Sequence, residues 1–223
     1  KDIFSGLESK DIQIFLKNDK LQEDLESLNW SGSFGMGVCF ESCYSDVVSL
    51  IESTIEGDSI DLKRETILEV SFQEGIVKRK LDVFINNQGG LLYKGYFRVF
   101  APADAGFSPV KIVYNEKREI VEPDVQSAKE MKEAGVFFEV GPNQTTSLEF
   151  AWEGNTFDIF DNKGGYEISW IKQSGVEKYP LGMKIVFPED IFISGDKNFS
   201  LTDRGVFRYN TFLDRDFISR FFW

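Results

Sequence analysis

Hydrophobic and polar residues alternate along most of the chain after Lys63, which is the pattern of β-strands with one buried face. Residues 66–72 and 76–86 are two such runs, and the Gln73-Glu74-Gly75 sequence between them predicts a hairpin. Further predicted strands cover residues 92–100, 109–114, 136–140, 145–152, 166–173, 181–187, 206–212 and 217–222. Glycine, proline and asparagine turns separate them, so we predict a mainly β chain with an antiparallel, immunoglobulin-like β-sandwich.

An amphipathic helix is predicted near the start of the chain. Leu21, Leu25 and Leu28 follow the spacing of one helix face, and Asn18 or Asp19 is suited to cap its first turn.

The remaining early segments have a mixed pattern. Residues 11–16 and 47–51 predict short strands, and residues 52–61 predict an acidic loop. We therefore predict a small α/β segment over residues 1–62, the end of an upstream domain, and the β-sandwich domain over residues 63–223. Within the latter, residues 123–134 are either irregular or form one or two helical turns.

Charge and composition limit the classes of function that the chain can have. The 223 residues include 25 Lys and Arg against 37 Asp and Glu, a net charge of −12 that disfavours binding to nucleic acid or anionic lipid. The chain has no histidine, which argues against Ser-His-Asp, Cys-His and histidine-ligated zinc chemistry. We expect no cofactor and an acidic, non-enzymatic protein.

The two cysteines, Cys39 and Cys43, lie four residues apart. They form either a short-loop disulfide or two half-buried thiols, and alone they do not complete a zinc site.

No apolar run is long enough to span a membrane. Because the chain begins at Lys1 without an initiator methionine, we expect it to be part of a longer polypeptide.

Several segments, in order along the chain, carry a resemblance to a known family. They are Lys10-Asp11-Ile12-Gln13-Ile14-Phe15, Leu21-Gln22, Asn29-Trp30-Ser31-Gly32, and residues 80–87, 93–102, 166–175 and 183–188. They resemble the bacterial DUF 4012 family, a domain of unknown function in large, membrane-anchored envelope proteins. The sequence departs from the family at residues 52–57, where the family usually has an asparagine-rich turn.

This resemblance implies a monomeric module on the extracellular face of a bacterial cell envelope, anchored through an N-terminal segment. The absent N-terminal region would carry the membrane helix and a domain distantly similar to enzymes that attach glycopolymers to the cell wall. Its implied partners are that N-terminal domain and cell-wall glycan or another surface protein. No catalytic residue carries over.

Three aromatic residues, Trp152, Phe157 and Phe160, are the candidates for stacking on sugar rings. We expect Trp152 to face outward where Leu148 and Phe150 face inward. The alternative is that all three aromatic residues belong to the core.

Acidic residues near the same turn offer two further kinds of site. Asp158, Asp161 and Asn162 are weak candidate ligands for Ca²⁺, without EF-hand spacing. A second acidic stretch of this kind contains Glu56, Asp58 and Asp61. A pair of carboxylates about 5–10 Å apart would suit glycoside hydrolysis, and the candidates are Glu149, Glu153, Asp158 and Asp161. Solvated loops are the alternative for all of them.

The sequence thus leaves three hypotheses. The first is a non-enzymatic structural or interaction module, the second a glycan-binding module, and the third a carboxylate-based hydrolase. Arg98, between Phe97 and Val99, is expected either to pair with a carboxylate on the solvated face or to be partly buried in a structural ion pair.

Overall fold

The computed structural model describes residues 3–28, 30–32, 43–57, 61–73, 75–128, 131–155, 160 and 164–223. Within these residues there are two short helices and fifteen strands. They are α1 (Ile3–Glu8), α2 (Asp19–Ser27), β1 (Cys43–Glu56), β2 (Leu62–Gln73), β3 (Ile76–Asn87), β4 (Tyr93–Pro102), β5 (Gly106–Phe107), β6 (Val110–Tyr114), β7 (Lys117–Val121), β8 (Asp124–Ala128), β9 (Met131–Val140), β10 (Thr145–Asn155), β11 (Gly165–Ile171), β12 (Tyr179–Val186), β13 (Ser200–Asp203), β14 (Val206–Leu213) and β15 (Phe217–Phe222).

The strands form a two-sheet β-sandwich, which confirms the predicted fold class. The six-stranded sheet has the order β15-β11-β1-β4-β9-β8, and the nine-stranded sheet has the order β13-β14-β12-β2-β3-β10-β6-β7 with β5 beside β10. Most neighbours are antiparallel, but β1 pairs with β11 and β2 with β12 in parallel. The sandwich is larger than an immunoglobulin domain of roughly seven to nine strands.

The core lies between the two sheets. It is formed by every second side chain of each strand, because successive side chains point to opposite faces of a sheet. On β3, Val77, Arg79, Leu81, Val83 and Ile85 all face inward and are buried, as the alternation predicts. Facing them, the six-stranded sheet contributes buried apolar and aromatic side chains, including Val48, Phe97, Tyr166, Trp170 and Phe221. The hairpin between β2 and β3 is confirmed, with Gly75 at a φ of 77° in its turn.

β1 belongs to the sandwich and not to a separate α/β segment. It pairs with β4 on one side and with β11 on the other, so it is a central strand of the six-stranded sheet. The predicted boundary between residues 62 and 63 therefore leaves out a strand that the sheet requires. The predicted acidic loop is wrong for residues 52–56, which continue β1.

The N-terminal residues partly match the predictions. α2 forms as expected, and the Asn18 side chain accepts a hydrogen bond from the Leu21 N–H at 3.1 Å. Residues 11–16 lie outside the strands, because no neighbouring strand pairs with them in the described structure; the Ile14 N–H donates instead to the Trp30 carbonyl. None of the described helices is long and apolar enough to cross a membrane.

The helical alternative for residues 123–134 is wrong. β8 pairs with β9 at the edge of the six-stranded sheet, from Asp124 opposite Gly135 to Ala128 opposite Met131. Val125 is 47% exposed, as expected for an edge strand. Pairing with a long neighbour therefore overrides a weak local helical pattern.

Candidate functional site

Trp152, the first candidate for sugar binding, is a core residue. Its exposed fraction is 2%, and its ring lies 5.7 Å from that of Phe107. The expected outward orientation is wrong because Leu148, Phe150 and Trp152 are spaced two apart, so all three side chains point inward from β10. A buried indole offers no face to a sugar at the surface.

Phe160 is half-buried, and its ring packs against those of Phe72 at 5.5 Å and Trp223 at 4.7 Å. Phe157 lies outside the described residues. The glycan role of this aromatic group therefore stays a prediction, without a described surface platform to support it.

The calcium candidates Asp158, Asp161 and Asn162 lie outside the described residues, as does Asp58. Among residues that the structure describes, no three acidic or cysteine side chains come together as a metal site. Glu56 forms an ion pair with Lys94, with 2.8 Å between Oε2 and Nζ.

The two described carboxylates of the hydrolase hypothesis do not converge. Glu149 binds the Lys111 ammonium on the outer face of the nine-stranded sheet. Glu153 is exposed four residues further along the same strand, which separates the two by about 13 Å of backbone.

Arg98 differs from its prediction. Its buried Nε donates no hydrogen bond within the described part of the chain, and no described carboxylate forms an ion pair with it. It lies on the outward side of β4, opposite Gly135 of β9. The predicted structural ion pair is therefore not seen there.

The charged pair that sequence reasoning missed is Asp46 with Arg79. Their side chains are fully buried and join the two sheets, with 2.7 Å between Arg79 Nε and Asp46 Oδ2. Tyr166 donates a hydrogen bond to the same oxygen at 2.9 Å, and Arg79 donates one to the Tyr44 hydroxyl at 2.7 Å. Burial raises the pKa of Tyr44 to about 12 and that of Tyr166 well above its ordinary value, so both hydroxyls stay protonated.

A second buried acid, Glu52 of β1, lies at one end of the sandwich. Its carboxylate accepts hydrogen bonds from Arg64 Nε at 2.5 Å and from the Tyr93 hydroxyl. Burial and the hydrogen bond to Glu52 raise the pKa of Tyr93 to about 12. The Gln173 side chain bonds both the N–H and the carbonyl of Glu52, which fastens the β11–β12 connection to β1.

That connection leaves an open groove beside β2, which we call the end groove. It has a volume of about 790 Å³, within the range of ligand sites. Its lining residues are Leu62, Lys63, Arg64, Glu65, Phe84, Asn86, Thr145, Gly175, Val176, Glu177, Lys178, Tyr179, Pro180 and Phe212. Leu62 and Tyr179 are buried at the groove, and Arg64 is half-buried.

The groove has an apolar and charged rim. Phe212 is 59% exposed, and the Lys178 ammonium lies 5.7 Å from the centre of its ring. Phe84 lies on the outer face of β3, where it is opposite Glu65 of β2. Lys63, Lys178, Glu65 and Glu177 place both signs of charge around the opening, in a chain that is strongly acidic overall.

Apolar side chains are also exposed along the N-terminal segment. Phe15 is 77% exposed, and Leu21 and Leu28 on the apolar side of α2 are each about half exposed. Lys10 fastens this segment to the sandwich through Asp216, with 2.7 Å between Nζ and Oδ2.

Cys43 is disulfide-bonded, which favours the first of the two predicted states of the cysteines; Cys39 lies outside the described residues.

No family model and no curated protein matches the sequence. Among solved structures, the chain is similar to a candidate nutrient-binding protein from Legionella pneumophila, with a TM-score of 0.54 and 8% identity over 79% of this chain and 70% of the other. It also matches an M1 zinc metallopeptidase from Deinococcus radiodurans, with a TM-score of 0.37 and 9% identity over 73% of this chain. It spans 42% of that peptidase chain. The first similarity supports the fold, and neither identifies an activity.

Proposed function

We propose that this chain is a non-enzymatic interaction module of a bacterial cell-envelope protein. The end groove carries the proposal, because it is open to solvent and combines an exposed and a half-buried phenylalanine ring, charges of both signs and polar side chains on a sheet. Such a lining is suited to hold a partner by contact and hydrogen bonding.

The buried carboxylates of the sandwich are paired with arginines, which supports a structural rather than a catalytic role for them. Asp46 is bonded to Arg79, Glu52 to Arg64 and Glu167 to Arg220. Each of these carboxylates is buried and held by an arginine, so it is poorly placed to reach a substrate.

The resemblance to DUF 4012 proteins motivates the location outside the cell membrane, and the disulfide at Cys43 supports it. Disulfides persist mainly in oxidising compartments. Thiol alkylation of the full-length protein in intact cells, before and after reduction, tests this: we expect labelling of Cys43 only after reduction. Labelling without reduction would contradict an oxidised state in the cell.

Glycan binding is the second candidate function, and the end groove is a better place for it than the predicted aromatic group. Phe212 and Phe84 offer apolar ring faces beside the Asn86 amide and the Thr145 hydroxyl, a combination that suits a sugar ring. Strand spacing separates the two rings by roughly 14 Å across the sheet.

A titration with solubilised cell-wall fragments, which contain both glycan and peptide, tests the interaction function. We expect amide NMR signals of groove residues to shift and the fragments to remain intact. Phe212→Ala should weaken the shifts, whereas Phe137→Ala, which removes another exposed ring on the opposite sheet, should not. Cleavage of the fragments that is lost in Glu65→Gln would overturn the non-enzymatic assignment, and unchanged groove signals would overturn the interaction site.

A further inference from the structure

We propose that the end groove binds an extended peptide segment, which adds to β2 as a further strand beside Leu62 and Arg64. The proposal rests on the proposed function because it names the partner of the same groove. Its basis is the backbone of β2, because none of the described strands pairs with this stretch on the side of β12.

The register of the β2–β3 hairpin shows which way these groups point. The Gln88 N–H donates to the Asp61 carbonyl, whereas the Asn87 N–H points away from β2 and donates to Gln144. In an antiparallel pair, residues that exchange hydrogen bonds alternate with residues whose N–H and C=O point outward. Leu62 lies opposite Asn87, so its N–H and C=O groups also point away from the partner strand β3.

Arg64 follows the same alternation two residues later, opposite Ile85. The N–H and C=O groups of Leu62 and Arg64 thus point towards the groove. In the described structure, the β2–β12 pairing begins only at Thr66 opposite Leu181, so no β12 residue is paired with Leu62 or Arg64.

Pro180 explains why the parallel pairing stops at that point. Continued pairing would require an N–H at residue 180 to donate to the Arg64 carbonyl, and proline has none. Residues 175–178, which precede β12, line the groove without pairing to β2, and Gln173 just before them is bonded to Glu52 of the other sheet. The missing N–H of Pro180 therefore ends the pairing of β12 with β2 and leaves the groove between them.

An extended peptide fits these groups better than a sugar does. Its N–H and C=O groups repeat along the chain and pair with a free strand edge, as in recognition by strand addition. Alternate peptide side chains would face Phe84 and Phe212 on the outer side of the sheet, beside Lys63 and Glu65. Only these two residues of β2 offer backbone groups to the groove, and the Leu62 carbonyl already accepts a hydrogen bond from Arg64 Nη1 at 3.5 Å, which a peptide N–H would replace. We therefore expect an affinity that depends strongly on each hydrogen bond.

A screen of an array of acetylated hexapeptides, followed by NMR titration of the retained sequences, tests the proposal. We expect the amide signals of Leu62 and Arg64 to shift most. N-methylation of a central amide keeps the side chains and removes one donor, so it should weaken binding by roughly 3–10-fold. Equal binding of the methylated peptide would overturn strand addition.

Pro180→Ala provides the complementary test on the protein. It restores the N–H that the Arg64 carbonyl lacks, so β12 should extend along β2 and the new amide should become protected from hydrogen exchange. Peptide affinity should fall at least about tenfold while the protein remains folded, because the partner site is then filled from within. Pro123→Ala, in the connection between β7 and β8, is the matched control and should bind peptide normally.

Two outcomes separate the failure of this proposal from that of the interaction function. If no hexapeptide shifts the Leu62 and Arg64 signals but peptide-free wall glycan shifts those of Phe84 and Phe212, strand addition is overturned and the interaction function stands. If neither ligand affects the groove, both are overturned. A Pro180→Ala protein that binds peptide as well as the parent also overturns strand addition.

Discussion

Arg79 of β3 reaches across the core to Asp46 of β1, and 2.7 Å separates Arg79 Nε from Asp46 Oδ2, with neither side chain exposed. Burial acts to lower the pKa of Arg79, but Asp46 and the neighbouring tyrosines outweigh it, and the net shift is upward. Arg79 thus stays charged at neutral pH. It links the two sheets of the sandwich at a fixed position along both strands.

Removal of either charge should destabilise the protein strongly. Arg79→Met leaves the Asp46 carboxylate buried without its cation, and Asp46→Asn leaves the guanidinium without its anion, so we expect each to cost about 3–5 kcal/mol in the free energy of unfolding. Urea denaturation measures this loss. The double variant Asp46→Leu/Arg79→Met should be less destabilised than the sum of the two single variants, and strict additivity would contradict the coupling.

Stability should also fall in alkaline solution. The pKa of Tyr44 and of Tyr93 is about 12 in the folded protein, against 10.0 for the ordinary side chain. Between these values the unfolded tyrosines lose their protons while the folded ones keep them, so the free energy of unfolding decreases as the pH rises from 10 towards 12. The contribution is complete below pH 10.

Denaturation at a series of alkaline pH values measures this dependence. Tyr93→Phe removes one of the tyrosines whose pKa is raised in the folded protein and should make the decline shallower over the same range. An unchanged slope would show that Tyr93 ionises alike in both states.

Local patterns were sufficient for the strands whose partners are close in sequence. The β2–β3 hairpin was predictable because alternation and the turn at Gly75 are both local signals. The pairing of β1 with β11 was not, because its partners are about 120 residues apart and no local pattern encodes the register. For the same reason, Asp46 and Arg79 gave no sign that they form one pair.

The candidate site shows the same limit. The Tyr179-Pro180 sequence is recognisable as an irregular point, but its effect on the Arg64 carbonyl follows only from the β2–β12 register. Trp152 is different, because its spacing from Leu148 and Phe150 already indicates a shared inward face. The outward orientation predicted for Trp152 therefore contradicts the period of two, and the sequence alone contains the signal that excludes it.

Trp152 should therefore behave as a core residue. Trp152→Ala creates a cavity beside Phe107, and we expect it to cost about 3–5 kcal/mol in the free energy of unfolding. Phe212→Ala removes a ring that is 59% exposed and should change stability by less than about 0.5 kcal/mol. Thermal unfolding of the two variants side by side tests the assignment, and a mild effect of Trp152→Ala would contradict it.

The cap of α2 offers a test confined to the N-terminal segment. Asn18→Ala removes the acceptor of the Leu21 N–H, a loss of about 1 kcal/mol for the helix, and Asn18→Ser should retain most of it. Since α2 buries none of its residues, packing contributes little to hold it, and the cap becomes a large share of its local stability. We expect faster amide hydrogen exchange over residues 19–27 in Asn18→Ala, with unchanged exchange in β2 and β3. Accelerated exchange throughout the sandwich would show instead that α2 and the sheets unfold as one unit.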